Sequence, residues 1–266
     1  MLSRMSQPIL NETQRAAQEQ FSKQSTRYGK GHILENVADV EEAAALLTLP
    51  IPAARVLDVA CGAGHTGLYF AAQGHAVTCA DLSPAMLQRT REAAATRGLN
   101  IETREHPSEE MPYPDESFDL VTCRVAPHHF SAPAAFVREA ARVLAPGGWF
   151  LLIDGTVPDE NPEAATWLNR LEKLRDPSHV ELYSPAQWRA WCEAAGLRVE
   201  RSWLRQKAQP DLQWYFDTAG TSPENRAAVL EMIRTATPSI RTTYEMHEDG
   251  RTVTWQWPML SLVARR

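Results

Sequence analysis

The chain contains no run of 18 apolar residues, so no segment reads as a membrane-spanning helix. Residues Met1 to Gln20 are polar and carry no signal-peptide-like apolar stretch. Both absences predict a cytoplasmic protein without membrane insertion. A surplus of positive charge is also missing: 27 Lys and Arg face 33 Asp and Glu, a net charge of −6. Nothing therefore steers the surface towards nucleic acid or anionic lipid. Cysteine is scarce, and Cys61, Cys79, Cys123 and Cys192 form no C-x-x-C pair, so we expect small buried hydrophobes and not metal or redox sites. There is no internal repeat and no low-complexity linker. The remaining composition, 44% hydrophobic and 23% charged over 266 residues, suits one enlarged α/β domain or a domain with a small lid, and leaves a homodimer open.

The most informative stretch is Val56-Leu57-Asp58-Val59-Ala60-Cys61-Gly62-Ala63-Gly64-His65-Thr66-Gly67. An apolar run ends near a carboxylate, turns through small residues and enters an apolar helical segment reaching Ala71. A second apolar run, Ala76 to Ala80, stops at Asp81. Glycines let backbone approach a ligand closely, and an acid ending the next strand can grip two ribose hydroxyls. An adenine nucleoside is the expected ligand, against the blander reading of a tight turn with a solvated Asp. Gly62-x-Gly64-x-x-Gly67 also fits a dinucleotide fingerprint. Asp58 argues against it, because a carboxylate four residues before the first glycine would repel a pyrophosphate seated at the helix N-terminus. S-adenosylmethionine has no phosphate and carries an ammonium and a sulfonium, which such an acid attracts directly or through water.

The pattern predicts helices over 11–26 and 35–48, then alternating strands and helices. Strands fall at 55–60, 76–80, 100–104, 118–123 and 149–154, with helices at 65–73, 83–98 and 133–144. Pro146-Gly147-Gly148 reads as a tight turn before the fifth strand. Alternation of this kind argues a parallel sheet. Past Asp154 the texture changes, with seven of the eight tryptophans beyond residue 160. Helices at 162–175 and 185–195, a strand at 197–206, a helix opened by Ser222-Pro223 and a last strand at 252–264 complete the reading. One domain covers 1–266, made of a helical cap (1–50), a nucleoside-binding core (51–154) and insertions with the terminal strands (155–266). Segments 11–48, 155–180 and 208–225 are expected to form a lid over the carboxyl edge of the sheet.

The motifs Val56 to Gly64, Asp81-Leu82-Ser83-Pro84-Ala85-Met86-Leu87, Met111 to Val121 and Arg142-Val143-Leu144-Ala145-Pro146-Gly147-Gly148 together resemble class I S-adenosylmethionine-dependent methyltransferases. The likeness covers about residues 20–155, and the chain resembles the branch with ubiquinone- and menaquinone-biosynthesis and other small-molecule enzymes. It implies a Rossmann-like seven-stranded sheet of order 3-2-1-4-5-7-6, with strand 7 antiparallel. It also implies S-adenosylmethionine as donor, S-adenosylhomocysteine as product and a small-molecule methyl acceptor as partner. By position, Asp58, Ala60, Gly62 and Gly64 form the methionine-end loop, Asp81 takes the ribose, and Leu82 and Met86 flank adenine. Arg124, at the end of strand 4, joins the cofactor set, and Tyr28 closes over the methionine moiety or else packs at a hinge. Where the family often has Asp-Ala, this chain has Pro107-Ser108, so Ser108, Glu109 or backbone must read the adenine amino group.

Methyl transfer needs a nucleophile placed near the methyl in a dry site, and a hydroxyl or acidic carbon also benefits from a base near neutral pKa. His128 and His129, just past strand 4, are the catalytic candidates, and at most one should face substrate. His179 is a candidate from the inserted region. Trp167, Trp214 and Tyr215 are expected to line an apolar acceptor pocket. Arg124-Val125-Ala126-Pro127 is not the Asn/Asp-Pro-Pro-aromatic turn of methyltransferases acting on bases or glutamine. Asp154 is followed by Gly155 with no Asp-Asn pair, so no metal is expected. The reading is methyl transfer to oxygen or carbon of a small aromatic or apolar metabolite. Its rivals are an S-adenosylmethionine binder without transfer activity and a nicotinamide-dependent oxidoreductase.

Overall fold

A computed structural model describes residues 9–27, 32–209, 211–248 and 253–266. Among the described residues nine strands run β1 Arg55–Val59, β2 Ala76–Asp81, β3 Glu102–Glu105, β4 Phe118–Arg124, β5 Leu144–Gly155, β6 Arg198–Ala208, β7 His247–Glu248, β8 Val253–Thr254 and β9 Gln256–Arg265. Seven form one sheet of order β3-β2-β1-β4-β5-β9-β6, while β7 and β8 pair separately. The strands β1 to β5 pair in parallel, and β9 lies antiparallel between β5 and β6. The expected order and the antiparallel last strand are therefore present.

Helices α1 Glu12–Gln24 and α2 Ala38–Ala44 precede the sheet, and α3 His65–Ala72, α4 Pro84–Thr96 and α5 Pro133–Val143 connect its parallel strands. Beyond β5 come α6 Pro162–Arg175, α7 Pro185–Ala194, α8 Leu212–Ala219, α9 Pro223–Arg234 and α10 Pro238–Thr243. The helix starts follow local chemistry. Ser83 accepts from the Met86 N–H with Pro84 in the first turn, and Ser184 with Gln187 makes a full capping box.

Central strands are buried on both faces, which is why they read as continuous apolar runs. Leu57, Val121, Phe150 and Leu152 point to one core with α5 and α7. Their neighbours Val56, Leu120, Leu151 and Ile153 point to the other, against Phe70 of α3 and Val40 of α2. A third cluster, built from Trp167, Leu168, Leu171, Phe216, Val229, Ile233 and Trp255, holds the inserted helices together.

Several elements differ from expectation. β5 begins at Leu144, so Pro146-Gly147-Gly148 lies inside a strand: Phe118 pairs Leu144, then Leu120 pairs Trp149. The glycines make a bulge, with Gly147 at φ +76°, and not a turn between separate elements. The second helix is shorter than 35–48, since Ile33–Glu35 forms a separate 3₁₀ turn. α8, α10 and β7 had no strong sequence signal, and the strand expected over 252–264 divides into β8 and β9.

Phe150 is completely buried between sheet and α5, so Phe150→Ala should cost about 3–5 kcal/mol of stability through lost burial and the cavity it leaves. Leu204→Ala, at a side chain 55% exposed, should change stability by less than about 0.5 kcal/mol. Urea midpoints of the two variants check the contrast.

Candidate active site

The loop after β1 is built from short bonds between neighbours. Ala60 turns at φ +53° and Gly62 at φ +54°. The Cys61 N–H donates to Ala80 O at 2.9 Å, and the Gly64 N–H to Cys61 O at 2.8 Å. Gly64, at φ +84°, lies so close to α4 that a Cβ would stand 2.6 Å from Thr90 Cγ2. Thr90 Oγ1 in turn donates to Gly62 O at 2.7 Å. Beneath the loop, Asp58 accepts from the Gly67 N–H at 2.8 Å and from Thr122 Oγ1 at 2.8 Å.

Asp81 ends β2 at the rim of a cavity of about 240 Å³ whose wall includes Ala60, Gly62, Leu82, Met86, Ser108, His128 and Trp214. One carboxylate oxygen accepts from the Gly62 N–H (2.9 Å) and the other from the Ser83 N–H (2.8 Å). Burial pushes its pKa up to about 6, against the pull of those two N–H groups. Each oxygen keeps a lone pair for a ligand hydroxyl.

At the far side of the cavity His128, His129 and His179 meet, with ring centroids 4.1, 5.7 and 6.5 Å apart. His128 Nδ1 lies 2.7 Å from Asp154 Oδ1, and its backbone N–H donates to Asp154 Oδ2 at 3.0 Å. Burial pushes the His128 pKa down, but the charge and hydrogen bond of Asp154, with Glu172 and Asp176, outweigh it and leave the net shift upward. His129 Nδ1 donates to Ser178 O at 3.1 Å, and burial followed by the His128 charge pushes its pKa down to about 3. His179 is only 2% exposed, and burial followed by both neighbouring histidines takes it down to about 2. Among the described residues no three His, Cys, Asp or Glu side chains are gathered to hold a metal.

A family profile described as a methyltransferase domain matches residues 57–152. The chain is 34% identical to the uncharacterized methyltransferase YcgJ of Bacillus subtilis, over 76% of this chain and 80% of that protein. It belongs to the S-adenosylmethionine-dependent methyltransferases. A crystal structure of a methyltransferase-class protein from Bacillus halodurans superposes with a TM-score of 0.81 at 31% identity, covering 86% of this chain and 98% of that one. The ubiquinone biosynthesis O-methyltransferase of Xanthomonas euvesicatoria is 31% identical over 57% of this chain and 66% of its own length. The dinucleotide reading falls with this assignment.

The methyltransferase cofactor fits the residues present. Gly62 leaves open space where a side chain would intrude, Asp81 offers acceptors at the correct strand end, and one cavity runs from Met86 to His128. The structure redistributes several expected roles. Asp58 is 1% exposed and outside the cavity wall, so it organises the loop from below instead of facing the ligand. Glu109 accepts from Gln14, Ser108, the Ser131 N–H and hydroxyl, and the Ala132 N–H. Five donors exhaust a carboxylate's roughly four lone pairs, leaving none for an adenine amino group. Although burial opposes it, these donors hold the Glu109 pKa below its ordinary value. Ser108 donates its proton to Glu109, but its oxygen keeps acceptor lone pairs on the cavity wall, so Ser108 Oγ and backbone in this stretch are left as candidate acceptors for the adenine amino group. Arg124 donates to Asp39 at 2.9 Å, Leu34 O at 2.8 Å and Asn36 O at 2.7 Å, clamping the cap to β4.

Trp214 lines the cavity as expected, but Trp167 does not: it stacks on Tyr244 and donates to Met232 O in the insertion core. Tyr215 is fully buried, its hydroxyl donating to Glu172 at 2.9 Å and its ring 4.6 Å beneath Arg175. Tyr28 lies outside the described residues. Residues the sequence did not single out include Phe21 of α1, Leu168 and Glu172 of α6, and Trp257 of β9, all on the wall. Asp154 had a readable signal: like Asp81, it is an acid near the end of an apolar strand.

Asp81→Ala should weaken S-adenosylhomocysteine binding by about 1.5–3 kcal/mol through lost charged hydrogen bonds, measured by calorimetry. S-adenosylhomocysteine should raise the wild-type melting temperature, and NAD should not; an unchanged dissociation constant in the variant would place the ribose elsewhere.

Proposed function

We propose that this methyltransferase acts on an oxygen or carbon of a small, aromatic or apolar metabolite, with His128 as general base oriented by Asp154. The observation carrying this reading is the 2.7 Å contact between His128 Nδ1 and Asp154, at the carboxyl end of the sheet on the cavity wall. A carboxylate oxygen accepts, so Nδ1 bears the proton of the neutral ring and Nε2 bears the lone pair. Nε2 has no hydrogen-bond partner among the described residues. S-adenosylmethionine, when bound, supplies a methyl group on a cationic sulfur. With that donor bound, His128 Nε2 would take the proton that the acceptor gives up as it receives the methyl group, with S-adenosylhomocysteine as the leaving group. Asp154, Glu172 and Asp176 stabilise the imidazolium, while His129 and His179 stay neutral.

The wall supports an apolar or aromatic acceptor. Leu168, Leu182, Met259, Trp214 and Trp257 supply flat and aliphatic surface, and Phe21 covers His129 edge-on at 4.8 Å. Oxygen as target also draws support from the likeness to a ubiquinone biosynthesis O-methyltransferase. α1, α6 and α8 contribute wall residues from three separate segments, consistent with a lid that excludes water.

Screening phenols, quinols, thiols and carbon acids for S-adenosylhomocysteine release tests the reading; tight cofactor binding without turnover on any acceptor would favour a non-transferring binder. On an accepted hydroxyl substrate, His128→Ala should lower kcat about 10²–10⁴-fold while sparing cofactor affinity. The base must be unprotonated, and its pKa is raised, so kcat should climb with pH on a limb centred above 6.5. In Asp154→Asn that limb should move to lower pH while the plateau falls. A limb unmoved by Asp154→Asn would detach the acid from the base.

A further inference from the structure

His179 stands on the cavity wall with its hydrogen-bonding role fixed by a neighbour. Asn169 Oδ1 accepts from the Leu182 N–H at 2.6 Å, and its Nδ2 donates to Leu182 O at 3.1 Å. Reversing the amide would set donor against donor and acceptor against acceptor, so the backbone of one residue settles its orientation. The same Oδ1 lies 3.0 Å from His179 Nε2. An amide oxygen only accepts, hence Nε2 carries the ring proton and Nδ1 the lone pair. Nδ1 has no hydrogen-bond partner among the described residues, yet it is not among the sealed polar atoms that lack one. The ring remains neutral, as its lowered pKa requires. The cavity thus presents two imidazole acceptors side by side, His128 and His179, with centroids 5.7 Å apart and planes inclined by 36°.

One acceptor suffices to take the reacting proton. A second, rigidly held and uncharged, has a use only if the methyl acceptor brings a second donor. We infer that His179, set by Asn169, is a specificity-determining residue whose Nδ1 accepts a hydrogen bond from a hydroxyl adjacent to the one methylated. This rests on the His128 reading above. The second hydroxyl keeps its proton throughout, while the first gives its proton to His128 as its oxygen–methyl bond forms. Trp214 and Trp257 on the same wall favour a planar ring, so the preferred acceptor is an aromatic with two adjacent hydroxyls. Such a device also limits the product to one methyl group. Presenting the remaining hydroxyl to His128 would turn the new ether oxygen, which cannot donate, against the Nδ1 lone pair.

The test compares an alkylcatechol, the matching alkylphenol and the catechol's monomethyl ether as acceptors for the full-length protein. Wild type should prefer the catechol by about tenfold or more in kcat/KM, the worth of one hydrogen bond in a dry site, and should stop at one methylation. His179→Phe keeps ring volume without the acceptor, and the preference should collapse towards about one. His179→Asn, whose Oδ1 occupies the position of Nδ1, should restore part of it. No catechol preference in wild type, or a preference unchanged in His179→Phe, overturns the inference. If no compound is methylated, quenching of the cavity tryptophans in the S-adenosylhomocysteine complex separates the two claims. Tighter catechol binding that His179→Phe abolishes keeps this inference while the base reading fails; equal or absent binding overturns it.

Discussion

Much of the site depends on one buried carboxylate. Asp58 lies in β1 beneath the glycine loop and receives one proton donor from α3, the Gly67 N–H, and one from β4, Thr122. Those two bonds fix the start of α3 against the paired strands and so fix the height of the loop above the sheet. Gly67 must be glycine for this, since a Cβ there would stand 2.5 Å from Cys79 Sγ and 3.1 Å from Asp58 itself. Burial raises the Asp58 pKa to about 7, opposed by Thr122 and Gly67. For an acid raised in the folded state, the stability it confers is full below about pH 4 and lost as pH climbs to about 7. The fold accepts that loss because the same bonds bring Gly62 to Asp81.

The histidine cluster follows a related economy of charge. Three imidazoles within 6.5 Å cannot all be cations in a buried pocket, and their different hydrogen-bond partners distribute the protons unequally. His128 receives a carboxylate. His129 receives the carbonyl and hydroxyl of Ser178, with Asp176 behind them, and His179 receives an amide oxygen. A carboxylate stabilises an imidazolium far more than a neutral carbonyl does, so adjacent residues of one type acquire different chemistry. Nothing in His128-His129 as a dipeptide distinguishes them; the partners come from β5 and from the segment after α6.

This explains which parts were legible in the sequence. The loop, Asp81, the alternating sheet and the helix caps are set by residues within a few positions of one another, so spacing and residue type suffice. Glu109 was assigned to the ligand by its place beside a family motif and Arg124 by its place at the end of strand 4, and both do line the cavity. Their partners lie 95 and 85 residues away, at Gln14 and Asp39, and only the folded chain brings them together. Trp214 and Tyr215 are neighbours in sequence, but α8 turns one to the cavity and buries the other on Glu172. Pro146-Gly147-Gly148 misled for a different reason, because a bulge and a turn use the same residues and only pairing with β4 separates them.

Backbone conformation ties these levels together. β1 and β4 are adjacent, and the residue just past each has positive φ: Ala60 at +53° and Val125 at +51°. For a β-branched residue this is costly, about 1–3 kcal/mol, and it persists only where surroundings over-determine it. Both positions are held by the sheet edge. The Val125 N–H donates to Ile153 O at 2.7 Å, and Cys61, next to Ala60, donates to Ala80 O. Each turn bends the chain sharply as its strand ends, one into the glycine loop and the other into the histidine segment. Both line the same cavity. The strain is thus offset by two strand ladders and sets the direction in which each loop leaves the sheet. A loop free to choose φ would carry the same side chains without holding His128 over Asp154 and Gly62 against Asp81.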